Sequence, residues 1–519
     1  MNASGQRPAV TELRLSAYKT HRRAVFPLGP VTLFTGPSGS GKSSALEAYG
    51  ALARLAAGDG LADVFPDPVG CVPHQARPDA QGRRGFRIGC TVDGTVGPVR
   101  LDVAVQAEPE LRIVGERMTG AGEVLLETAL RDPGRRTVQA AWYTAGAVPV
   151  TRAPLPDDRL ATALLPLRIA GKTAGQRLAL AAAEQIVVAL RSVFPCDPRP
   201  ESMRGPAMRS DGQLRSACDN LAAVLYRTHK ECGTRHAALV TAVRDGCAGP
   251  AVKELTVEGA GGDARTGART GPAEGDGRFA PHSSRATGGQ ARTGDGRSGG
   301  AGTGTGRSGA GLRAVLGRGE FGSMPVDRLG DGELRYLGLA LVLLTGPGVL
   351  DVDPVADVLP ALQTLTVLAD GFDRCLDARQ ARLLLELAGR MCERGHIRLV
   401  GAVHTVPLPA PDAAAERPAA AAAPVARAGS GGARGVGAVG GDGASGLSVP
   451  AGVSGPAGTS AGTGAAVAGG AGPAPAAVGS AGTGGRGGGR RDGGEAGAFG
   501  VRGLTVVDLG RDQGTPYRS

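Results

Sequence analysis

Gly36-Pro37-Ser38-Gly39-Ser40-Gly41-Lys42-Ser43-Ser44 decides the fold of this chain. The stretch satisfies the phosphate-loop pattern G-x-x-x-x-G-K-[ST]. Residues 31–35 before it are apolar and β-branched, which predicts a buried strand, and residues 45–56 predict a helix that begins near Lys42. In this context glycines let backbone N–H groups converge on phosphate oxygens at the positive end of the helix dipole. The sequence therefore predicts a nucleoside triphosphate site.

Two side chains of the loop have predicted roles. Lys42 is expected to reach the β- and γ-phosphates of ATP, and the hydroxyl of Ser43 is expected to complete the shell of a Mg²⁺ ion. A chance match is the alternative, since the chain contains 87 glycines. A strand and a helix in the correct positions argue against it.

Composition predicts that only part of the 519 residues folds. Two stretches contain few apolar residues or no periodicity, so they cannot bury enough surface to offset the entropy of ordering. We therefore expect two parts of one ATPase head, residues 1–257 and 312–407, a disordered linker at 258–311, a disordered Ala/Gly-rich segment at 408–498, and a terminal strand and tail at 499–519.

Charge and cysteine usage give weaker indications. The net charge of +10 permits contact with DNA, although many arginines lie in the predicted linker, where a solvated linker explains them more simply. The eight cysteines form no C-x-x-C pair or zinc-like cluster, and no apolar run is long enough to span a bilayer. We expect a cytoplasmic protein without a membrane partner.

The segments around the loop predict an α/β fold. Period-two alternation predicts short strands before the loop and antiparallel strands after it, and a period near 3.6 predicts a helical arm. The strands are expected at residues 13–18, 24–28, 86–92, 99–105 and 111–115, and the helices at residues 175–194 and 219–244.

A second motif lies in the other half of the chain. Leu329-Gly-Asp-Gly-Glu-Leu-Arg335 is followed by an apolar helix pattern at residues 336–344. This resembles the signature motif of ATP-binding-cassette ATPases, in the L-S-D-G-x-x-R form of the SMC- and RecF-like group of predicted AAA-type ATP-binding proteins. Residues 13–49 and 219–225 also look like segments of that group. The resemblance implies a P-loop NTPase with a mixed sheet, an antiparallel β subdomain and a helical arm.

The resemblance also implies a partner subunit. In the family the signature loop binds the γ-phosphate of ATP on a second head, so Gly330, Asp331, Gly332 and Glu333 are expected to contact the partner's ATP in a homodimer. A glycine at a helix start offers backbone N–H groups suited to that contact. Gly330 stands where the family has serine, so one hydroxyl contact is missing.

Two aspartates are candidates for the acidic end of the metal-site strand. Asp353 has a spacing to the signature close to that of transporter cassettes. Asp370 ends the apolar run 365–369 and is followed, at the family's spacings, by Asp377, a helix pattern, a strand pattern and His404. We therefore predict Asp370 as the Mg²⁺ ligand opposite Ser43, and His404 as the switch histidine.

One departure from the family bears on hydrolysis. The family has Glu directly after the metal aspartate, where it orients and deprotonates the attacking water. This chain has Gly371, and the nearest carboxylate is Asp373, which is expected to point elsewhere. The sequence predicts a Mg·ATP-dependent dimerising switch with slow hydrolysis. A DNA-linked role is a further hypothesis. The alternatives are an ATP-sensing module without hydrolysis and a transporter-type cassette.

Overall fold

The computed structural model describes residues 7–146, 152–208, 210–259, 311–352, 363–405 and 501–510. The N-terminal half begins with strands on both sides of the phosphate loop and ends in helices. Its elements in chain order are β1 (Ala9–Tyr18), β2 (His21–Pro27), β3 (Val31–Thr35), α1 (Lys42–Ala57), α2 (Leu61–Val64), β4 (Arg84–Asp93), β5 (Val99–Glu108), β6 (Arg112–Gly120), β7 (Glu123–Ala129), β8 (Thr137–Trp142), β9 (Arg152–Pro156), α3 (Ala161–Leu164), α4 (Ala174–Arg191), β10 (Val193–Pro195), α5 (Pro200–Met203), α6 (Leu221–Glu231) and α7 (Gly233–Gly246).

The second half supplies the remaining strands of the nucleotide-binding sheet. Its elements are β11 (Glu254–Glu258), β12 (Arg313–Gly317), β13 (Ser323–Pro325), α8 (Asp331–Leu344), β14 (Leu365–Ala369), α9 (Ala378–Glu393), β15 (Ile397–Ala402) and β16 (Leu504–Asp508).

Three sheets organise these strands. Five strands form a parallel sheet in the order β10-β14-β15-β3-β16. Eight strands form an antiparallel sheet in the order β2-β1-β4-β5-β6-β7-β8-β9, and β11, β12 and β13 form a small antiparallel sheet. The combination of a parallel sheet, an antiparallel subdomain and a helical region confirms the predicted α/β fold class.

Apolar packing explains where the sheets meet their helices. One buried cluster joins the antiparallel sheet to α1 and α4, with Leu52, Leu101 and Ile186 among its members. A second joins the parallel sheet to α8 and α9 through side chains such as Leu33 and Leu339. A central strand of a parallel sheet is covered on both faces, and β14 is accordingly buried at all five positions, whereas the edge strand β16 is only partly buried.

Helix α9 begins where its capping residues require. The carboxylate of Asp377 accepts a hydrogen bond from Gln380 N at 2.7 Å, and the Gln380 side chain accepts one from Asp377 N at 3.2 Å. This reciprocal capping satisfies two donors of the first turn. It fixes the loop between β14 and α9, which carries Asp370, Gly371 and Asp373.

The structure corrects two predicted helices and adds seven strands. The helix predicted at 175–194 ends at Arg191, and Val193–Pro195 is β10. The helix predicted at 219–244 is divided into α6 and α7 at Cys232, whose φ of −148° and ψ of 78° are not helical. Strands β7, β8, β9, β11, β12 and β13 were not predicted either, although the apolar residues Val138, Ala140 and Trp142 of β8 alternate in the way that indicates a strand.

The terminal strand predicted near 501–508 is present as β16, which pairs with β3 at the edge of the parallel sheet. Residues 260–310 of the linker predicted at 258–311 lie outside the described residues, and so do the whole segment predicted at 408–498 and Asp353. Within the part of the chain that is described, no helix combines the length and apolarity that a membrane crossing needs.

Candidate functional site

The phosphate loop lies between the carboxyl end of β3 and the amino end of α1. Gly36, Gly39 and Gly41 all have positive φ, so the backbone curls around the loop's centre. The Ser40 hydroxyl is buried inside this curl and has no hydrogen-bond partner. A loop with a curled backbone and an unsatisfied buried hydroxyl is suited to receive an anion.

Lys42 points back over the same loop. Its ammonium Nζ donates to the carbonyl oxygens of Gly36 at 2.8 Å and Pro37 at 3.0 Å. An ammonium held only by neutral carbonyls can exchange these contacts for stronger ones to phosphate oxygens. Lys42 is therefore placed to bind a phosphate seated in the loop.

Ser43 and Asp370 come together from distant parts of the sequence. The Ser43 hydroxyl donates to Asp370 Oδ1 at 3.1 Å, since α1 begins next to β3 and Asp370 follows β14, two strands away. Hydroxyl and carboxylate oxygens suit Mg²⁺, which takes one or two protein ligands and completes its shell with water and phosphate. No cluster of three or more His, Cys, Asp or Glu suited to a metal occurs among the described residues. The two oxygens therefore fit a magnesium ion shared with a bound triphosphate.

A cavity of about 270 Å³ opens above this contact. Its lining includes the loop residues Ser38, Gly39, Gly41, Lys42, Ser43 and Ser44, together with Asp370, Gly371, Arg374 and His404. Four larger cavities, of about 360 to 630 Å³, are lined by other parts of the chain and include no phosphate-loop residue. We assign the candidate site to the cavity of about 270 Å³ because it alone of these five collects the phosphate loop, a cationic side chain beside it and a pair of oxygens suited to Mg²⁺.

The side chain of His21 packs against the phosphate loop at Gly41. Its Nε2 lies 3.0 Å from the carbonyl oxygen of Gly41, and a Cβ on Gly41 would lie 2.5 Å from the same ring atom. The side chain is 5% exposed, and its burial lowers the pKa of this histidine, although the hydrogen bond to Gly41 opposes the shift. His21 therefore packs against the loop as a neutral imidazole.

His404 and Asp373 form a pair at the rim of the cavity. Asp373 Oδ2 accepts hydrogen bonds from the backbone N–H groups of His404 at 2.8 Å and Thr405 at 3.0 Å. Asp373 Oδ1 lies 3.2 Å from His404 Nδ1. Asp373 is not among the residues that line the cavity, whereas His404 is. The carboxylate thus reaches the site only through His404.

Gly371 occupies the place where the family has its catalytic glutamate. Its φ of 57° lies in the left-handed region, and a Cβ there would lie 3.0 Å from the Arg374 guanidinium. A glutamate at this position would be strained in this backbone conformation. Glycine at this position therefore suits the backbone conformation of the loop, and no carboxylate stands there.

The signature residues lie at the start of α8. Gly330 is the N-cap, and its N–H donates to Glu333 Oε2 at 3.2 Å. Asp331 is paired with Arg204 at 2.8 Å, and its side chain is 61% exposed. A Cβ on Gly332 would lie 2.4 Å from the carbonyl oxygen of Cys375, so only glycine allows this close approach to the β14–α9 loop. None of these residues lines the cavity around Lys42.

Arg335 connects α8 to the loop between β14 and α9, a role that was not predicted from the sequence. Its side chain is 1% exposed and donates to Asp197 Oδ1 at 3.1 Å and to the carbonyl oxygens of Pro198 at 2.6 Å, Asp370 at 3.0 Å and Gly371 at 2.8 Å. The arginine of the L-S-D-G-x-x-R pattern was the available signal. The hydrogen-bond partners of Arg335 could not be predicted from residue types, because most of them are backbone carbonyl oxygens.

Comparisons with known proteins find similarities of structure but none of sequence. No protein-family model matches the chain, and no curated protein matches it in sequence. The chain is similar in structure to an SMC head bound to the C-winged helix domain of ScpA, at 11% identity and a TM-score of 0.39, with 76% of this chain and 90% of that chain covered. It is also similar to the SMC head domain from Thermotoga maritima, at 11% identity and a TM-score of 0.34, with 76% and 89% covered.

A third similarity is to the recombination mediator protein RecF with ATP, at 15% identity and a TM-score of 0.17, with 23% of this chain and 29% of that chain covered. SMC heads and RecF are also the group that the sequence motifs of this chain resemble.

Proposed function

We propose that this protein binds Mg·ATP in the phosphate loop and uses it to join two heads. The observation that carries the proposal is the contact between Ser43 Oγ and Asp370 Oδ1 beside Lys42. Three parts of a triphosphate site, which are a cradle of backbone N–H groups, a cation and a pair of magnesium ligands, lie within one cavity. In the complex, Ser43 and Asp370 would hold the ion in place of the hydrogen bond between them, and the ion would neutralise phosphate charge.

Dimerisation is proposed from the position of the signature. Gly330 to Glu333 start α8, a helix of 14 residues whose amino end can offer N–H groups to a phosphate. These residues do not line the cavity of their own subunit, and Asp331 is exposed. A second head with its bound ATP would give them a phosphate to bind, so we propose a head-to-tail homodimer with two enclosed nucleotides.

Hydrolysis is proposed to be slow. The usual carboxylate is replaced by Gly371, and loss of a general base costs about 10²- to 10⁴-fold in rate. A second candidate function follows from the same observation, because a site without the carboxylate can act as an ATP sensor that binds without turnover. Measured turnover separates the two, and repeating the assay with DNA tests a DNA-linked role.

The binding experiment compares wild-type protein with Lys42→Ala by isothermal calorimetry with Mg·ATP. Loss of a charge-assisted contact to phosphate weakens binding by about 1.5–3 kcal/mol, roughly 10- to 150-fold. Lys172→Ala is the matched control, since Lys172 stands in a Gly-Lys-Thr sequence that lacks the upstream glycine and is exposed outside the cavity. Equal affinities for all three proteins would refute the proposed site.

A further inference from the structure

Asp373 joins two loops at the candidate site. It follows β14, and its carboxylate binds the backbone N–H groups of His404 and Thr405, which follow β15. Its side chain is 14% exposed, whereas that of His404 is 71% exposed. A mostly buried carboxylate therefore fixes the backbone of an exposed histidine at the rim of the cavity.

The same carboxylate decides which ring nitrogen of His404 carries the proton. An ionised carboxylate only accepts hydrogen bonds, so Nδ1, at 3.2 Å from Asp373 Oδ1, must be the donor. In the neutral ring Nε2 is then left as an acceptor. An imidazole held in this way can take a proton at Nε2.

The other charged groups that line the cavity are unsuited to that task. Lys42 and Arg374 are cations that can neutralise phosphate charge, and Asp370 is committed to the magnesium pair with Ser43. Gly371 has no side chain. Among the side chains lining the cavity, His404 is thus the one with a free acceptor nitrogen for a water molecule.

We propose that Asp373 is a positioning residue that makes His404 the general base for ATP hydrolysis, in place of the carboxylate missing at Gly371. The inference rests on the proposed binding of Mg·ATP. Nε2 of His404 takes a proton from water as the water oxygen bonds to the γ-phosphorus. The bond from that phosphorus to the β–γ bridging oxygen breaks, and its electron pair leaves with ADP. The imidazolium then returns its proton to solvent.

Asp373→Asn tests this role without removing the backbone contacts. The asparagine oxygen can still accept from the N–H groups of residues 404 and 405, but its NH₂ group would donate to Nδ1 and force the proton onto Nε2. We expect turnover to fall about 10²-fold or more while Mg·ATP affinity stays the same. His404→Gln should show a loss of the same size, and the double variant should lose no more than either single variant.

Two further measurements separate positioning from folding. ¹⁵N NMR of histidine-labelled protein without nucleotide should show the Nδ1–H form of His404 in the wild type and the Nε2–H form in Asp373→Asn, with His404→Gln identifying the signal. Asp79→Asn is the matched control, since Asp79 also accepts two backbone N–H bonds, from Gln81 and Arg83, outside the cavity. It should leave turnover and the His404 signal unchanged.

The outcomes distinguish this inference from the proposed function. Wild-type turnover in Asp373→Asn, an unchanged tautomer, or a wild-type protein that binds Mg·ATP without any turnover would each overturn the assignment of Asp373 and His404. Absence of Mg·ATP binding by the wild type would instead refute the proposed function itself.

Discussion

Replacing Arg335 by methionine should destabilise the protein strongly and disturb the nucleotide site. The change keeps most of the buried stem and removes the guanidinium, which donates to Asp197, Pro198, Asp370 and Gly371. Removing one partner of a buried ion pair costs about 3–5 kcal/mol. We expect a loss of about 3 kcal/mol, since the Asp197 side chain is 30% exposed and keeps its ion pair with Arg199 at 3.3 Å.

Thermal unfolding measures this loss. In large domains about 1 kcal/mol shifts Tm by roughly 2 °C, so Arg335→Met should lower Tm by about 6 °C. It should also reduce the further rise in Tm that Mg·ATP gives the wild type, because the carbonyl groups of Asp370 and Gly371 lose their anchor. Arg335→Lys should be intermediate, since lysine keeps the charge but lacks the planar fork.

The control is Arg117→Met, which removes an arginine whose ion pair with Glu127 is exposed on both sides. Such a pair contributes about 0–1 kcal/mol, so Tm should hardly change. If the Tm of Arg335→Met equalled that of the wild type, or fell no further than the Tm of Arg117→Met, the buried guanidinium would not hold α8 to the β14–α9 loop.

Three further predictions concern assembly, pH and the central insert. Asp331→Arg should reduce the dimer that light scattering detects with Mg·ATP and leave single-head affinity intact; a dimer of unchanged stability would contradict the placement of the signature. Burial lowers the pKa of His21 and, together with nearby His229, that of His236, so the unfolded chain binds more protons below about pH 6.5. Stability should therefore be full above that pH and fall as pH decreases from 6.5 to 5.5, with a weaker dependence in His236→Gln; equal urea midpoints at both pH values would refute it. Deleting residues 262–308 should leave Tm within about 5 °C. The flanking strands β11 and β12 pair with each other, with Leu255 opposite Leu316, and the shorter connection between them costs little closure entropy. Loss of the folded state would show that the insert contributes to the core.

Local patterns predicted the elements that position the candidate site. The strand, loop and helix around Lys42, the strand before Asp370, the helix after Asp377 and the strand before His404 all follow from apolar runs and glycines. These signals are carried by neighbouring residues. A single sequence is therefore enough to place them.

The contacts of Arg335 and Asp373 could not be predicted in the same way. Their partners are backbone atoms of segments far away in the sequence, and those segments meet only when the parallel sheet and α8 pack together. The division of the helical arm at Cys232 was missed for a similar reason, because the apolar periodicity continues across a residue whose backbone leaves the helix. The roles assigned to Gly330, Asp331, Gly332 and Glu333 stay predictions.

Strand β16 has a consequence for the order in which the protein can fold during synthesis. It pairs with β3 from Leu504 against Val31 to Asp508 against Thr35, so residues at opposite ends of the chain form the edge of the sheet next to the phosphate loop. Until residue 508 leaves the ribosome, β3 has an open side with unpaired N–H and C=O groups, which invites pairing with other chains. Translation that stops before β16 would therefore release a product that contains the other four strands of the parallel sheet. The edge of β3 next to the phosphate loop would be uncovered in that product.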